Sequence, residues 1–463
     1  MRANVHVNTL VMIFAVVAMV AAVTWVVPGG EYQREVKDGR TLVVPGSFRP
    51  VESQPQGIGA LLMSPLRGFV QAATIIGFLF VIGGAFAIVA KTGALSVAVQ
   101  HMARTFARKP HLQKFFIPVT MTVFSVMGSV FGSAEETLPF IVIFISLALA
   151  LGYDSLTGTA IPFLGTAAGF AGSTLNPFTV GIAQGIAELP LYSGLEFRIV
   201  IWVLSTTAMI AFVVLHASRV RKDPRRSPVY ELDRERKHEF HLDTGGAEPF
   251  LLRHTLVLAA FALAVVVLVV GILRFGWYIT EIGALFLGLG IVCGFLGRLS
   301  MDELTDAFKA GAKDMVGVAL IIGTARGILV IAQDGKVMDV MLHQLAGAIG
   351  TLNPMFAAHA MFVMQCVINF FVHSASGQAM LTMPVMAPLA DVVGLSRQMA
   401  VLAFQFGEGW INPILPTSGV TMGVLGLAGI SWGTWFRWML PAQIFFFLLA
   451  FALLTVGYLI QYQ

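Results

Sequence analysis

The sequence predicts an all-α polytopic membrane protein with about nine transmembrane helices, two re-entrant hairpins and an inverted internal repeat. Three observations carry that prediction. The 463 residues are 57% hydrophobic and 12% charged, against about 25% charged in a soluble domain. Two pairs of apolar arms, short for a crossing at about 1.5 Å per residue, flank polar tips: 115–132 and 138–152 around "SAEET", and 355–372 and 379–393 around "HSASGQ". Residues also recur at a nearly constant offset. Gly77, Ile82, Gly83 and Ala85 return 240 residues later as Gly317, Ile322, Gly323 and Ala325, and Pro177 and Phe197-Arg198 return 239 later as Pro416 and Phe436-Arg437.

Nine apolar runs are long enough to cross a bilayer: 9–27, 70–90, 156–187, 197–217, 253–273, 279–297, 315–332, 398–424 and 437–460. The first is closed by Pro28-Gly29-Gly30 and preceded by Arg2 as its only basic residue. It reads as an uncleaved helix, with a signal peptide as the alternative. Segment 28–56, with "PGG", "VVPGS" and mixed charges, reads as a short exposed hairpin without assignable chemistry. Each short-armed pair reads as a hairpin turning back at mid-membrane, with two ordinary short spans as the alternative.

Lys and Arg placement sets the orientation. Segment 91–114 holds Lys91, Arg104, Arg108, Lys109 and Lys114 and no acidic residue, and "RVRKDPRR" (219–226) abuts the end of a span. Both are expected in the cytoplasm, which leaves the N-terminus cytoplasmic and the C-terminus on the outer side. Span 70–90 then runs inward and its counterpart 315–332 outward, so the repeats are inverted. Residues 1–217 form the first repeat, with hairpin 115–152. Residues 218–250 form a charged cytoplasmic linker, and 251–463 hold connector helix 253–273 and the second repeat with hairpin 355–393.

Several functions are excluded or disfavoured. Cys293 and Cys366 lie in apolar runs, which indicates neither a disulfide framework nor a zinc site. The net charge of +4 comes without a long basic tract and gives no nucleic-acid reading. Walker A, HExxH and GxSxG sequences are missing, which removes ATP-driven pumping and the commonest hydrolytic chemistries. The chain is therefore expected to be no enzyme, with no catalytic residue and no cofactor. "HEFH" (238–241) reads as a solvated loop rather than a metal site, and "GLGIVCG" (288–294) as small-residue helix packing.

Inverted repeats with interrupted helices point to a binding site at the membrane midplane. "AGFAGSTLNPFTVG" (168–181) offers Ser173, Thr174, Asn176 and Thr179 beside Pro177. "FGEGWINPILPTSGV" (406–420) offers Glu408, Asn412, Thr417 and Ser418 around Pro413 and Pro416. Unwound backbone is tolerated at that depth only where protein or a water-filled cavity satisfies it. Its helix N-termini attract anions and its carbonyls attract Na⁺. One Pro or Gly suffices for a structural kink; clusters of small polar residues at equivalent places exceed that need.

The hairpin tips add Ser133, Glu135, Glu136 and Thr137, and Ser374, Ser376, Gly377 and Gln378. A charge at the bilayer centre costs at least about 2.5 kcal/mol on insertion scales, so the adjacent glutamates need water, a cation or a partner. Glu136 and Glu408 read as ligands for a cationic group, as Na⁺ ligands or as proton carriers. Glu135 has equal claim to be a helix cap. Arg326, deep in a span, reads as a partner for a site glutamate, a receptor for a substrate carboxylate or half of a packing ion pair. His373 reads as a substrate or proton ligand or as a satisfied polar residue. The coupling ion is expected to be Na⁺, near Ser133, Asn176, Ser374 and Thr417, or H⁺.

"AEETLPF", "LALGYDS", "GFAGSTLNPFTVGIAQGIA", "SGQAMLTMPVMAPLAD", "QMAVLAFQFGEGW" and "PTSGV" resemble the YfcC-type membrane proteins. These are grouped with the C4-dicarboxylate anaerobic carriers of the ion transporter superfamily, and the likeness covers nearly the whole chain. The resemblance implies an elevator-type fold of inverted repeats with two hairpins. In superfamily members that bind Na⁺ and carboxylates, hairpin tips commonly carry Ser-Asn-Thr. Here they read Ser133-Ala134-Glu135-Glu136-Thr137 and Ser374-Ala375-Ser376-Gly377-Gln378. Basic amino acid antiport, assigned to members of the family, suits that acidic site.

The expected function is secondary active transport of a small polar metabolite by alternating access, with a cationic amino acid such as arginine or ornithine fitting Glu135, Glu136 and Glu408. The rival is a Na⁺- or H⁺-coupled C4-dicarboxylate carrier in which Arg326 serves the substrate. A channel or non-transporting receptor is the alternative of another class; dead-end hairpins count against a continuous pore. The expected partners are the small-molecule substrate, the lipid bilayer and a second copy of the chain in a homodimer, with no nucleic acid.

Overall fold

The computed structural model describes residues 9–37, 40–94, 97–98, 101, 110–132, 134–239, 250–275, 277 and 279–463. Half of the basic segment 91–114 and the side chains of "HEFH" lie outside the described residues. Helix α1 (Thr9–Val26) has no charged residue and ends before Pro28. Four short strands follow, β1 (Gly29–Glu31), β2 (Arg34–Lys37), β3 (Arg40–Val43) and β4 (Arg49–Val51), as two antiparallel ladders, β1 with β4 and β2 with β3. Next come α2 (Ile58–Gln71), α3 (Ala73–Lys91) and α4 (Pro110–Val126), the last prolonged by a π turn, Met127–Phe131. A 3₁₀ turn, Glu135–Thr137, opens α5 (Leu138–Ala150); α6 (Ser155–Ala171) is followed by a break, a π turn at Pro177–Gly181 and the short α7 (Ile182–Ile186).

The long α8 (Leu195–Lys222) leads to α9 (Tyr230–Glu239), then to α10 (Leu252–Phe275) and α11 (Ile279–Leu296). The second half runs α12 (Met301–Asp314), α13 (Val316–Asp334), α14 (Met338–Ile349), α15 (Pro354–Phe371), α16 (Ala375–Val392) and α17 (Arg397–Gly409). After a second break with a 3₁₀ turn at Asn412–Ile414 come α18 (Gly419–Ala428) and α19 (Trp432–Leu459).

Among the described residues five helical segments are long and apolar enough to cross a membrane: α8, α11, α15, the α17–α18 run and α19. The number is seven when the bent pairs α2–α3 (60°) and α12–α13 (42°) each count as one span. The nine runs read from sequence add α1, the broken α6–α7 and α10. One finding departs from expectation: α15, read as a short hairpin arm, is an 18-residue helix long enough to span by itself. Helices α2, α9 and α12 were not expected at all. They are amphipathic or polar, so no long apolar run announces them. The N-terminus of α12 is fixed by a capping box in which Ser300 Oγ accepts from Glu303 N (3.2 Å) and Glu303 Oε2 accepts from Ser300 N (2.8 Å).

The two bent pairs lock together through glycines. A Cβ on Gly323 would strike the Phe69 ring, and a Cβ on Gly84 would strike the Phe308 ring. Phe308 lies 239 residues after Phe69, and Gly323 lies 239 after Gly84, one residue off the 240 that pairs Gly323 with Gly83 in the sequence repeat, so the two contacts exchange to within one residue of that repeat. Such small-residue contacts let helix backbones approach closely, as membrane helix packing requires.

Hydrogen bonds at the helix ends fix directions. Asp154, before α6, accepts from His216 near the end of α8 (2.8 Å), and Trp438 near the start of α19 donates to His216 Nδ1 (3.0 Å). At the opposite end, Arg397 at the start of α17 pairs with Glu188 just past α7 (2.8 Å), while Tyr462 beyond α19 donates to Gly194 O before α8 (2.8 Å). Helices α6 and α17 therefore run antiparallel, and so do α8 and α19. Segment 28–56 clasps the α13–α14 corner: Tyr32 N and Arg34 both donate to Asp339 (2.9 Å each), and Phe48 stacks on His343 at 3.9 Å.

Candidate functional site

The two hairpin tips and the second break converge on one cavity of about 540 Å³. Each wall is set by a local backbone event. Gly132, at φ +70°, turns the chain out of the first arm, a conformation with little steric cost for glycine. The tip returns through Glu135–Thr137, where Thr137 Oγ1 donates to Ala134 O (2.6 Å). At the second tip Ser374 Oγ accepts from Gly377 N (3.3 Å) and caps α16, while Ser418 Oγ accepts from Thr421 N (3.3 Å) and caps α18. Ala375, Ser376, Gly419, Val420 and Thr421 all line the cavity. Two helix N-termini therefore face it, each presenting partial positive charge.

Among the described residues four ionisable side chains also line it: Glu135, Glu408, Arg326 and His373. Glu408 is 1% exposed. Its Oε1 accepts from Asn412 Nδ2 at 2.8 Å, while Oε2 has no hydrogen-bond partner among the described residues. Glu135 lies close enough to act on Glu408 as a like charge. Arg326, half-buried, leaves Nε without a hydrogen-bond partner among the described residues, and its charge acts on the His373 imidazole. His373 Nε2 bonds Thr417 Oγ1, which fastens the second tip to the second break. Glu408 and Arg326 thus face the same space without a salt bridge to each other.

The residues expected at the site divide into three sets. Glu135, Thr137, Ser374, Ser376, Glu408, Asn412, Thr417 and Ser418 line the cavity together with Arg326 and His373. Ser173, Thr174, Asn176, Gly377 and Gln378 do not. The first break is closed by the hairpin beside it: Ser129 Oγ contacts Thr174 Oγ1 (2.9 Å) and accepts from Thr174 N (3.1 Å). Asn176 Oδ1 accepts from Phe178 N (2.9 Å) and Thr179 N (3.3 Å), and Ser173 Oγ donates to Phe170 O (2.5 Å). Gln378 Nε2 donates to Gln365 O (2.9 Å) and Oε1 (2.8 Å). Ser133 and the Glu136 side chain lie outside the described residues.

Sequence reasoning missed Gln71 and Thr74 at the α2–α3 corner, Thr166 on α6, and an aromatic wall of Phe163, Phe170 and Phe178. Gln71 and Thr74 were detectable as the only polar residues in "FVQAATIIG". The phenylalanines sit among dozens of apolar residues and carry no such signal. Among the described residues no group of three or more His, Cys, Asp or Glu is arranged to hold a metal ion.

Residues 7–459 match the family described as C4-dicarboxylate anaerobic carrier, DcuC. The chain is 37% identical over 470 residues to an Escherichia coli (strain K12) protein named "Putative basic amino acid antiporter YfcC", covering 93% of this chain and 92% of that one. It is 28% identical over 480 residues to an uncharacterised Haemophilus influenzae protein, covering 94% and 93%. Among solved structures it is similar to the Alcanivorax borkumensis YdaH transporter, at 16% identity and TM-score 0.44, covering 97% of this chain and 98% of that one. Neisseria gonorrhoeae MtrF, described as one of a class of antimetabolite efflux pumps, gives 17% and 0.44, covering 98% and 95%.

Proposed function

The chain belongs to the C4-dicarboxylate anaerobic carrier family, a family of membrane transporters, and from that premise we propose that it is a secondary transporter of cationic amino acids. The observation that carries the reading is the charge layout of the cavity. Glu408 Oε2 stands without a partner, with Glu135 on the facing tip. Arg326 Nε and two helix N-termini lie on the same walls. A basic amino acid presents two cationic groups and one carboxylate. Its side chain or α-ammonium meets Glu408 and Glu135, and its α-carboxylate meets Arg326 and the first turns of α16 and α18. The name of the 37% identical relative agrees with that chemistry.

Alternating access in an inner-membrane homodimer, with the two halves as inverted repeats, is the mechanism we propose. The antiparallel pairs α6/α17 and α8/α19 and the exchanging Phe69–Gly323 and Phe308–Gly84 contacts support the repeat. In this scheme the tips and broken helices move as one body past the bent pairs, and H⁺ or Na⁺ supplies the coupling.

One observation favours a second reading. Arg326 with two helix N-termini also suits a dianion, which fits the family's description. A dicarboxylate would then need a cation, or protonated glutamates, to offset Glu135 and Glu408. Thermal unfolding of the purified protein separates the two, because a ligand that binds only the folded state raises its stability. Arginine, lysine or ornithine should raise the unfolding temperature without Na⁺, and succinate or fumarate only with Na⁺ or at low pH. Stabilisation by succinate plus Na⁺, with every basic amino acid inert, replaces the first reading with the second.

A further inference from the structure

Asn369 lies near the end of α15, fully buried and outside the cavity lining. Its amide reaches the second break. Nδ2 stands 3.0 Å from Glu408 O, 3.3 Å from Asn412 Oδ1 and 3.4 Å from Gly407 O. All three neighbours are acceptors, so the nitrogen of the amide must face them. The contact with Asn412 has a consequence one bond further on. With Oδ1 engaged by Asn369, the Asn412 side chain can only turn its NH₂ toward Glu408, and Nδ2 stands 2.8 Å from Oε1. Thr421 Oγ1, donating to Asn412 O (2.6 Å), holds the same residue from the α18 side.

We propose that Asn369 is a positioning residue for substrate: through Asn412 it commits Glu408 Oε1 to an internal hydrogen bond and leaves Oε2 as the oxygen offered to the substrate's cationic group. The proposal deepens the reading of Glu408 as a cation receptor and rests on it. Without Asn369 the Asn412 amide is free to rotate by half a turn and bring Oδ1 against the carboxylate. The carboxylate then loses both its hydrogen bond and its fixed orientation.

The arrangement has a counterpart that argues against simple core packing. Ser129, 240 residues before Asn369, reaches from the first hairpin into the first break in the same way, contacting Gly172 O (3.3 Å) and Thr174 Oγ1 (2.9 Å). A serine suffices to fasten a hairpin arm to a break. The asparagine adds the ability to set the direction of a neighbouring amide, and it occurs where a carboxylate stands next to that amide.

The test measures arginine affinity of the full-length purified protein by calorimetry, with ligand-free thermal unfolding recorded in parallel. Asn369→Leu, close in size and without polar atoms, should weaken arginine binding about tenfold, the value of one charge-linked hydrogen bond of about 1.5 kcal/mol. Asn369→Asp, which cannot donate from its ionised form, should weaken it at least as much. Asn412→Ala, at the half-buried end of the relay, should match Asn369→Leu, and the double variant should be no worse than either single one.

A merely structural Asn369 would lower the unfolding temperature and give additive losses in the double variant. Additive losses, or wild-type affinity in Asn369→Leu, overturn the proposal. If the Asn369 variants do not fold, wild-type affinity in Asn412→Ala overturns it equally. Failure of the underlying reading looks different: Glu408→Gln, or the wild-type protein's own lack of arginine binding, then reports it, and the proposal falls with it.

Discussion

Each of the two broken helices carries one buried carboxylate, and the two are treated in opposite ways. Asp154, at the outer end of α6, is saturated. Its Oδ1 accepts from Thr157 N (2.9 Å) and Thr157 Oγ1 (2.6 Å), and its Oδ2 from His216 Nε2 (2.8 Å) and Ser227 Oγ (2.7 Å). Because Trp438 can only donate, and donates to Nδ1 of His216, Nε2 must carry the proton that Asp154 receives. Glu408, at the C-terminal end of α17, has one side-chain hydrogen bond and, among the described residues, an open oxygen. A buried acceptor left unsatisfied costs about 1–3 kcal/mol, more when charged, so a fold retains it where something else completes it. A saturated carboxylate joins elements of the fold, while an open one facing a cavity has an oxygen left for a ligand.

The largest test of that contrast removes the Glu408 charge. Glu408→Gln keeps the shape of the side chain and should abolish arginine uptake in proteoliposomes while leaving expression and unfolding temperature near wild type. The expected loss of affinity is about ten- to a hundredfold, for about 1.5–3 kcal/mol of charge-assisted contact. Retained uptake would put Glu408 in the same structural class as Asp154.

Asp154→Asn should reverse the pattern: reduced stability, with arginine affinity little changed in the folded fraction. The amide retains one acceptor for Thr157 but turns an NH₂ toward the donors His216 and Ser227, a loss of about 1–3 kcal/mol. The pH dependence has a definite sign. Burial alone would push the Asp154 carboxyl up, but the hydrogen bonds it accepts from His216, Thr157 and Ser227 hold it below its ordinary value. The contribution is therefore fully present above about pH 4, the unfolded value, and is lost as pH falls through the lower folded one. Wild type should lose stability in that acid window, and Asp154→Asn should lose less of it. Parallel acid unfolding curves for the two proteins would remove Asp154 from the account.

The contrast marks where sequence ends as a guide. Long apolar runs dictate most spans, and Gly-Pro-rich stretches dictate both breaks, because each is a local property of the chain. Amphipathic α2 and α12 and polar α9 escape that reading; in α12, for example, Asp302, Glu303, Asp306 and Lys309 interrupt any apolar run. The site was half legible. Ser173, Thr174 and Asn176 look as available in sequence as Glu408, Asn412 and Thr417. What separates them is whether a distant partner has already used them. Ser129 closes the first break from 45 residues away, and no spacing rule announces that. Asn369 was invisible for the same reason, as one of two amides, with Gln365, in an apolar arm, its partners lying 38 to 43 residues further on.

The smallest effect tests the closed break itself. Ser129→Ala removes the contacts to Thr174 and Gly172 but leaves no charge unpaired, because every group involved is neutral. Neutral hydrogen bonds contribute about 0.5–1.5 kcal/mol each to stability, and Thr174 keeps a nearby acceptor in the residue 129 carbonyl (3.4 Å). The expected result is about 1 kcal/mol of destabilisation in thermal or denaturant unfolding with arginine affinity unchanged. The equivalent change in the second half, Asn369→Leu, should do the opposite, lowering affinity more than stability. Should Ser129→Ala weaken arginine binding tenfold instead, the first break belongs to the site after all, and the two halves share the work of binding that we propose for the second.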